Sequence, residues 1–274
     1  MKSKTEKGQE FRALHHRDKA FIIPNPWDVG SARILEKVGF EALATTSAGF
    51  AFSTGKQDGA VSRDEMIEHV RQLAASTDVP VSADLENGYG DDSKDAAETI
   101  RLAAEAGCSG GSIEDRYGRN GERLIYDHAL AAERIQAAAE SARSLDFTFT
   151  LTARCENYLA GNPDLDDTVK RLQAYQEAGA DVLYAPGLKT IEDIKAVVTS
   201  VNLPVNVVMG LSGVQLGVDE LSAIGVKRIS VGSALSRAAL GAFIRAATEM
   251  RDHGTFTFAE DAVSVKDLME MFRS

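Results

Sequence analysis

The chain of 274 residues carries 30 Lys and Arg against 41 Asp and Glu, a formal net charge of −11, with 44% hydrophobic and 26% charged residues. That balance is ordinary for a soluble globular chain and argues against nucleic acid or an anionic membrane as the main partner. Cys108 and Cys155 make no disulfide framework and no zinc spacing, no run reaches transmembrane length, and the first eight residues lack an apolar core, so a cytoplasmic location is expected.

In order, the chain alternates strand and helix. Residues 9–19 predict a short helix ending in a cluster of His15, His16 and Arg17, whose histidines are expected on a solvated face. Residues 20–24 predict a first strand, and Asp28 is placed to cap a helix over 30–38. A second strand over 41–47 runs into a loop of small residues at Ala48 and Gly49, and on through 55–59. Helix 62–76 opens at Ser62 with Glu65 three residues on, a capping box. The third strand, 81–86, follows Pro80, and Gly88-Tyr89-Gly90 supplies a tight turn. Helix 93–106 stops at Gly107. Strand 110–115 leads through a polar loop, 116–123, to helix 127–144. Strands 147–154, 181–185, 204–209 and 228–232 are followed by helices 166–178, 190–199, 218–224 and 235–252. The tail, 255–274, predicts a loop and one amphipathic helix over 258–272.

Eight strand–helix units without a composition break, over about 230 residues, predict a closed (β/α)8 barrel in one domain spanning 1–274. An open doubly wound sheet would want a glycine-rich phosphate turn after its first strand, and Pro24-Asn25-Pro26-Trp27 is nothing of the kind. A barrel works at the C-terminal ends of its strands. Ser47, Asp84, Glu86, Glu114, Asp115 and Arg154 fall at such ends, and Asn206 lies on the seventh strand. On a strand Asp84 and Glu86 share one face, while Leu85 takes the other.

Asp84, Glu86 and Glu114 come from neighbouring strands and can converge on one hard cation, directly or through waters. The planar fork of Arg154 suits a substrate carboxylate. Backbone N–H groups near Ser47, Ala48 and Gly49 suit a second oxyanion. A 2-oxo acid chelated to Mg²⁺ fits this arrangement, with Mn²⁺ as a substitute. Each residue has a plainer reading: Glu114 as a cap or ion-pair partner, Arg154 as a neutraliser of Asp84, and Asn206 as a satisfied buried amide. On chemistry alone Asp58 is an ordinary turn aspartate.

Asn25-Pro26-Trp27-Asp28, Thr46-Ser47-Ala48-Gly49, the run from Ala83 to Gly90, Ile113-Glu114-Asp115 and Ala153-Arg154 resemble, in order and spacing, the motifs of the isocitrate lyase / phosphoenolpyruvate mutase superfamily. The resemblance covers roughly residues 10–250. It implies a (β/α)8 barrel whose members make or break C–C or P–C bonds beside a 2-oxo carboxylate with Mg²⁺. It further implies Asp84 as the main metal carboxylate, Glu86 and Glu114 supporting the metal or its waters, and Ser47 and Gly49 on the substrate. Asp58 falls at the rim of the site, and Arg154 and Asn206 on the substrate. Isocitrate and methylisocitrate lyases carry a cysteine-bearing loop after the fourth strand. Here residues 116–123 hold no cysteine, lysine or histidine, and Ala185-Pro186-Gly187 replaces a lyase glutamate. The phosphonomutase pattern of that loop is missing too.

The expected function is therefore a Mg²⁺-dependent C–C lyase on a small anionic 2-oxo acid or its adduct. A P–C enzyme acting on a phosphonopyruvate-like substrate and a non-catalytic 2-oxo acid binder are the alternatives. Helix 235–252 and the tail carry apolar stripes, so residues 234–274 are expected to build a homodimer or homotetramer. The loop 116–123 is expected to close over bound substrate, with Gly118 and Gly121 as hinges.

Overall fold

Short buried runs make the strands, and parallel pairing joins them into a ring. The computed structural model describes residues 2–118, 122–211 and 215–273. The barrel strands are β1 (Phe21–Ile23), β2 (Leu43–Ala44), β3 (Val81–Asp84), β4 (Gly110–Glu114), β7 (Thr150–Arg154), β8 (Val182–Tyr184), β9 (Val205–Val208) and β10 (Arg228–Ser230). They lie in the order β1-β10-β9-β8-β7-β4-β3-β2, each paired parallel with its neighbour. Between β2 and β1 the ring closes just past the strands: Ala44 N donates to Pro24 O at 3.0 Å, and the Asn25 amide donates to Thr45 O at 3.0 Å. Eight parallel strands with intervening helices form a (β/α)8 barrel.

The surrounding helices are α2 (Val29–Val38), α4 (Arg63–Ser76), α5 (Ser93–Glu105), α6 (His128–Arg143), α7 (Leu165–Glu177), α8 (Ile191–Thr199) and α9 (Val218–Ala223). Asp28 caps α2 by accepting from Ser31 N at 2.7 Å, and Ser62 and Glu65 form the capping box of α4. The apolar faces of α4 to α9 and outward side chains of the strands share one core that includes Ile100, Ile113, Leu151, Leu172 and Val197, while Ala32 of α2 packs in a second cluster with Leu43, Leu73 and Val81.

Several elements differ from expectation. The first helix, α1, is Lys4–Leu14, not 9–19. Its capping box at Ser3 and Glu6 starts it earlier, and Phe11 and Leu14 plug the bottom of the barrel against Phe21, Ile23 and Ala42. Glycine makes this plug possible, because a Cβ on Gly110 would stand 2.8 Å from Phe11 Cε1. His15 is buried, not solvated; it lies edge-on to Phe11 and Phe21. The expected loop at Ala48 and Gly49 is instead α3 (Ser47–Ser53), capped by Thr46 Oγ1 on Gly49 N at 3.2 Å. Within the polar stretch 116–123, Arg116–Tyr117 form β5, which pairs antiparallel with β6 (Leu124–Ile125). Residues 119–121, with Gly121 among them, lie outside the described residues.

The C-terminal segment leaves the barrel. Helix α10 (Ala234–His253) buries only Ser236, while Leu240, Phe243, Ile244 and Met250 stay exposed. The expected tail helix comes in two pieces, a 3₁₀ turn at Thr257–Asp261 and α11 (Val265–Met271), beyond which Phe272 O accepts from the Arg33 guanidinium of α2 at 3.1 Å. No helix of the described residues is long and apolar enough to cross a membrane.

Candidate active site

The parallel register sets polar side chains at the C-terminal mouth. Asp84 ends β3, Glu114 ends β4 and pairs in register with Arg154 at the end of β7, and Tyr184 of β8 comes next. Asp84 Oδ2 accepts from both the backbone N–H of Ser47, at 3.0 Å, and its hydroxyl, at 2.9 Å. The first residue of α3 is thus fastened to the third strand. The other oxygen of Asp84 stands 3.7 Å from Arg154 Nη1, beyond hydrogen-bond reach, and is buried without a partner.

Arg154 lies among three carboxylates. Its Nε donates to Glu156 Oε1, and its Nη1 stands 3.3 Å from Glu114 Oε2 and 3.7 Å from Asp84. The ring of Tyr184 lies beneath it, 5.2 Å from the guanidinium carbon. Burial works against the charge on Arg154, but Glu156 and Glu114 outweigh it and hold the pKa well above its usual range. Arg116, at the start of the hairpin, donates from Nε to Glu114 Oε1 at 3.0 Å and stands 3.9 Å from Glu156 Oε2. Sequence reasoning missed Glu156 and Tyr184. The signal for Glu156 was its place two residues past Arg154, where alternation returns a side chain to the same face.

Glu86 does not continue the strand. Its φ of 49° is left-handed, so strand alternation with Asp84 does not apply, although its carbonyl still accepts from Glu114 N at 2.9 Å. One Glu86 carboxyl oxygen is buried without a partner. Burial first, then Asp84 and Asp58, push its pKa up to about 7. Burial also raises Glu114, against Arg154 and with Glu156. The phenol oxygen of Tyr89, in the same loop, is buried without a partner as well.

Two cavities open here. One, of about 60 Å³, sits in the barrel mouth among Asp84, Ser112, Arg154, Tyr184, Asn206 and Arg228. The other, of about 190 Å³, lies beneath the hairpin and is lined by Asp58, Glu86, Glu114, Arg116 and Arg123. Asn206 is buried, accepting from Arg228 Nε at 2.9 Å and donating to the Ser230 hydroxyl at 3.0 Å, so both ends of its amide are engaged in the barrel. Ala48 and Gly49 sit in the first turn of α3; a Cβ on Gly49 would stand 3.1 Å from Trp27 Cβ, which leaves that turn no room for a larger residue. Asp115 faces outward to α7, where it accepts from Tyr175 at 2.5 Å and pairs with Arg171 at 3.3 Å. Among the described residues, no group of three or more His, Cys, Asp or Glu stands ready to chelate a metal unaided.

The family model for phosphoenolpyruvate phosphomutase matches residues 11–251. A Burkholderia cenocepacia J2315 protein of known structure, provisionally assigned as a lyase/mutase, is 60% identical, with a TM-score of 0.96 over 99% of this chain and 98% of that one. An oxaloacetate decarboxylase of Chromohalobacter salexigens is 28% identical over 251 residues, 89% of this chain and 85% of its own. The structure of a phosphonopyruvate hydrolase with oxalate and Mg²⁺ is 25% identical, with a TM-score of 0.85 over 97% of this chain and 94% of that one. The chain belongs to the phosphoenolpyruvate mutase / isocitrate lyase superfamily of enzymes, which act on C–C or P–C bonds of small oxo acids.

Proposed function

We propose that the protein is a Mg²⁺-dependent lyase that cleaves the bond to C3 of a small 2-oxo acid, in the manner of a carboxy-lyase or an oxo-acid lyase. The observation that carries this reading is the charge balance of the mouth. Asp58, Asp84, Glu86, Glu114 and Glu156 act on one another there, against the guanidiniums of Arg116 and Arg154. An Asp84 oxygen and a Glu86 oxygen remain buried and unpartnered. Such groups are costly unless something cationic meets them. The donor set fits Mg²⁺, which keeps several waters and is held by only one or two carboxylates. Asp84 would hold it directly, and Glu86 and Glu114 through its waters. When bound, the ion supplies positive charge beside the 2-oxo oxygen as electrons leave the bond to C3.

The chain's own groups do the rest. Arg154, fixed by Glu156 and Glu114, presents its fork to the substrate carboxylate, and the Ser47 hydroxyl rotates from Asp84 to the substrate while its backbone N–H keeps hold of Asp84. The close packing of Gly49 on Trp27 sets the first turn of α3, with Ala48, beside the mouth, while Asn206 and Arg228 floor the pocket. Asp58, at the rim, faces the departing or entering group. The hairpin, with Arg116 and Arg123, covers the cavity where the substituent on C3 would lie and keeps water from it.

The same core also suits P–C cleavage, the chemistry named by the matching family model, and one screen separates the readings. The protein is offered 2-oxo and 2-hydroxy diacids and phosphonopyruvate, with and without Mg²⁺. Mg²⁺-dependent release of a 2-oxo acid from a carbon substrate is expected. Phosphate from phosphonopyruvate alone would select the P–C reading, and tight oxalate binding without turnover would select a binder.

A further inference from the structure

The loop after β3 holds a tyrosine in an unfavourable backbone conformation. Glu86 and Tyr89, at φ 49° and 62°, are the two non-glycine residues with left-handed backbone among those described. An aromatic residue there is an outlier, and such strain persists only where neighbours over-determine it. They do so here. Asn87 Oδ1 accepts from Tyr89 N at 3.0 Å, and the Thr99 hydroxyl donates to Gly88 O at 2.8 Å. Arg134, buried on α6, donates to the carbonyls of Asn87 and Asp91 and stacks 4.5 Å from the ring of Tyr126. Gly88 presses so closely on α5 that a Cβ would stand 2.9 Å from Ala96 Cα.

This clamp fixes the backbone that carries the Tyr89 ring. The Tyr89 phenol oxygen is buried with no hydrogen-bond partner, like Asp84 Oδ1 and Glu86 Oε1 in the same segment. The charges that bear on it are Glu86, Asp84, Glu114 and Asp58, all carboxylates of the mouth. Two of the three lone oxygens only accept when ionised, and the phenol can donate. We propose that Tyr89 is a positioning residue: its phenol donates to the Glu86 carboxylate when the cation is bound and aims that carboxylate at the cation's water shell. This rests on the Mg²⁺ reading above. A carboxylate fixed in this way behaves as outer-shell groups do around metals, where their loss weakens binding by about 10–100-fold.

The test is Tyr89→Phe, which keeps the ring. Mg²⁺ binding is measured by calorimetry, and the melting temperature is taken in EDTA. The expected result is about 10–100-fold weaker Mg²⁺ binding with an EDTA melting temperature equal to or above wild type, because removing a buried unpaired hydroxyl leaves no partner stranded. In a Glu86→Gln background Tyr89→Phe should cost nothing further. Unchanged Mg²⁺ affinity, additive losses in the double variant, or a fall in the EDTA melting temperature matching the loss of affinity would each overturn the proposal. A wild type that binds no Mg²⁺ would overturn the Mg²⁺ reading itself, and the role of Tyr89 with it.

Discussion

Asp115 and Glu156 divide the labour around Arg154. Asp115 Oδ1 accepts from Glu156 N at 2.8 Å, while its other oxygen takes Tyr175 and Arg171, all buried. Asp115→Ala strands these donors, so it should cost roughly 3–5 kcal/mol of stability, the range for breaking a buried pair. A melting temperature like wild type would contradict this. Glu156→Gln keeps the shape but removes the charge that holds Arg154 Nε. It should lower kcat/KM by about 10²-fold, the cost of a misaimed positioning group, with little loss of stability. Steady-state kinetics with unchanged kcat/KM would show that Glu156 does not aim Arg154. Among single residues, the sequence made Asp84, Glu114 and Arg154 legible because strand ends and alternation place them. Glu86 was misplaced onto the strand, since no pattern announces a left-handed glutamate. Tyr89 read as part of a glycine turn.

At the scale of elements, α1 shows why the floor of the barrel was harder to read than its mouth. His15, Phe11 and Phe21 form one edge-on cluster, and His15 Nδ1 lies 2.8 Å from Phe11 O. If Nδ1 carries the proton and donates to that carbonyl, Nε2 is left to accept from Arg228 Nη1 at 3.4 Å. A histidine pair beside an arginine looks like surface in a sequence, and only tertiary contact reveals the plug. Burial, then Arg228, push the His15 pKa down to about 3, and burial lowers that of His69 to about 4. An unfolded chain titrates histidine near 6.5. Below about pH 6.5 the unfolded chain therefore binds the extra protons, and stability present at neutral pH is lost as pH falls toward the folded values. The slope is about 1.4 kcal/mol per pH unit for each histidine held neutral. Glu86 and Glu114, raised by burial, act with the opposite sign in this range, so the contribution of His15 is read as a difference: from about pH 7.5 to about pH 5 the melting temperature of His15→Gln should rise relative to that of wild type. A difference that does not change with pH would assign the acid sensitivity elsewhere. The hairpin β5–β6 escaped the sequence because Arg116–Arg123 has neither alternation nor an apolar anchor of its own.

For the whole molecule, the barrel was legible from eight strand–helix repeats, because the two periodicities of the backbone are written into the apolar pattern. The fate of the last helix was not, since an apolar stripe does not say what it packs on. Helix α10 leaves Phe243 at 69% and Ile244 at 60% exposure, and Phe256, Val265 and Met269 of the tail are exposed as well. An apolar patch of this kind calls for a protein partner, and a second copy of this chain is the expected one. Light scattering should give a dimer or tetramer, and Phe243→Glu with Ile244→Glu should give a smaller species; a monomeric wild type would contradict this. The role proposed for the carboxylate mouth is to hold a cation for bond cleavage, with Asp84 as its first ligand. The most direct measurement is Mg²⁺-dependent 2-oxo acid release by wild type and Asp84→Ala, side by side. The expected result is a wild type silent in EDTA and restored by Mg²⁺, with turnover in the variant lower by at least about 10²–10³-fold at any Mg²⁺ concentration. Near-normal turnover by Asp84→Ala, with the metal requirement intact, would rule Asp84 out as the ligand.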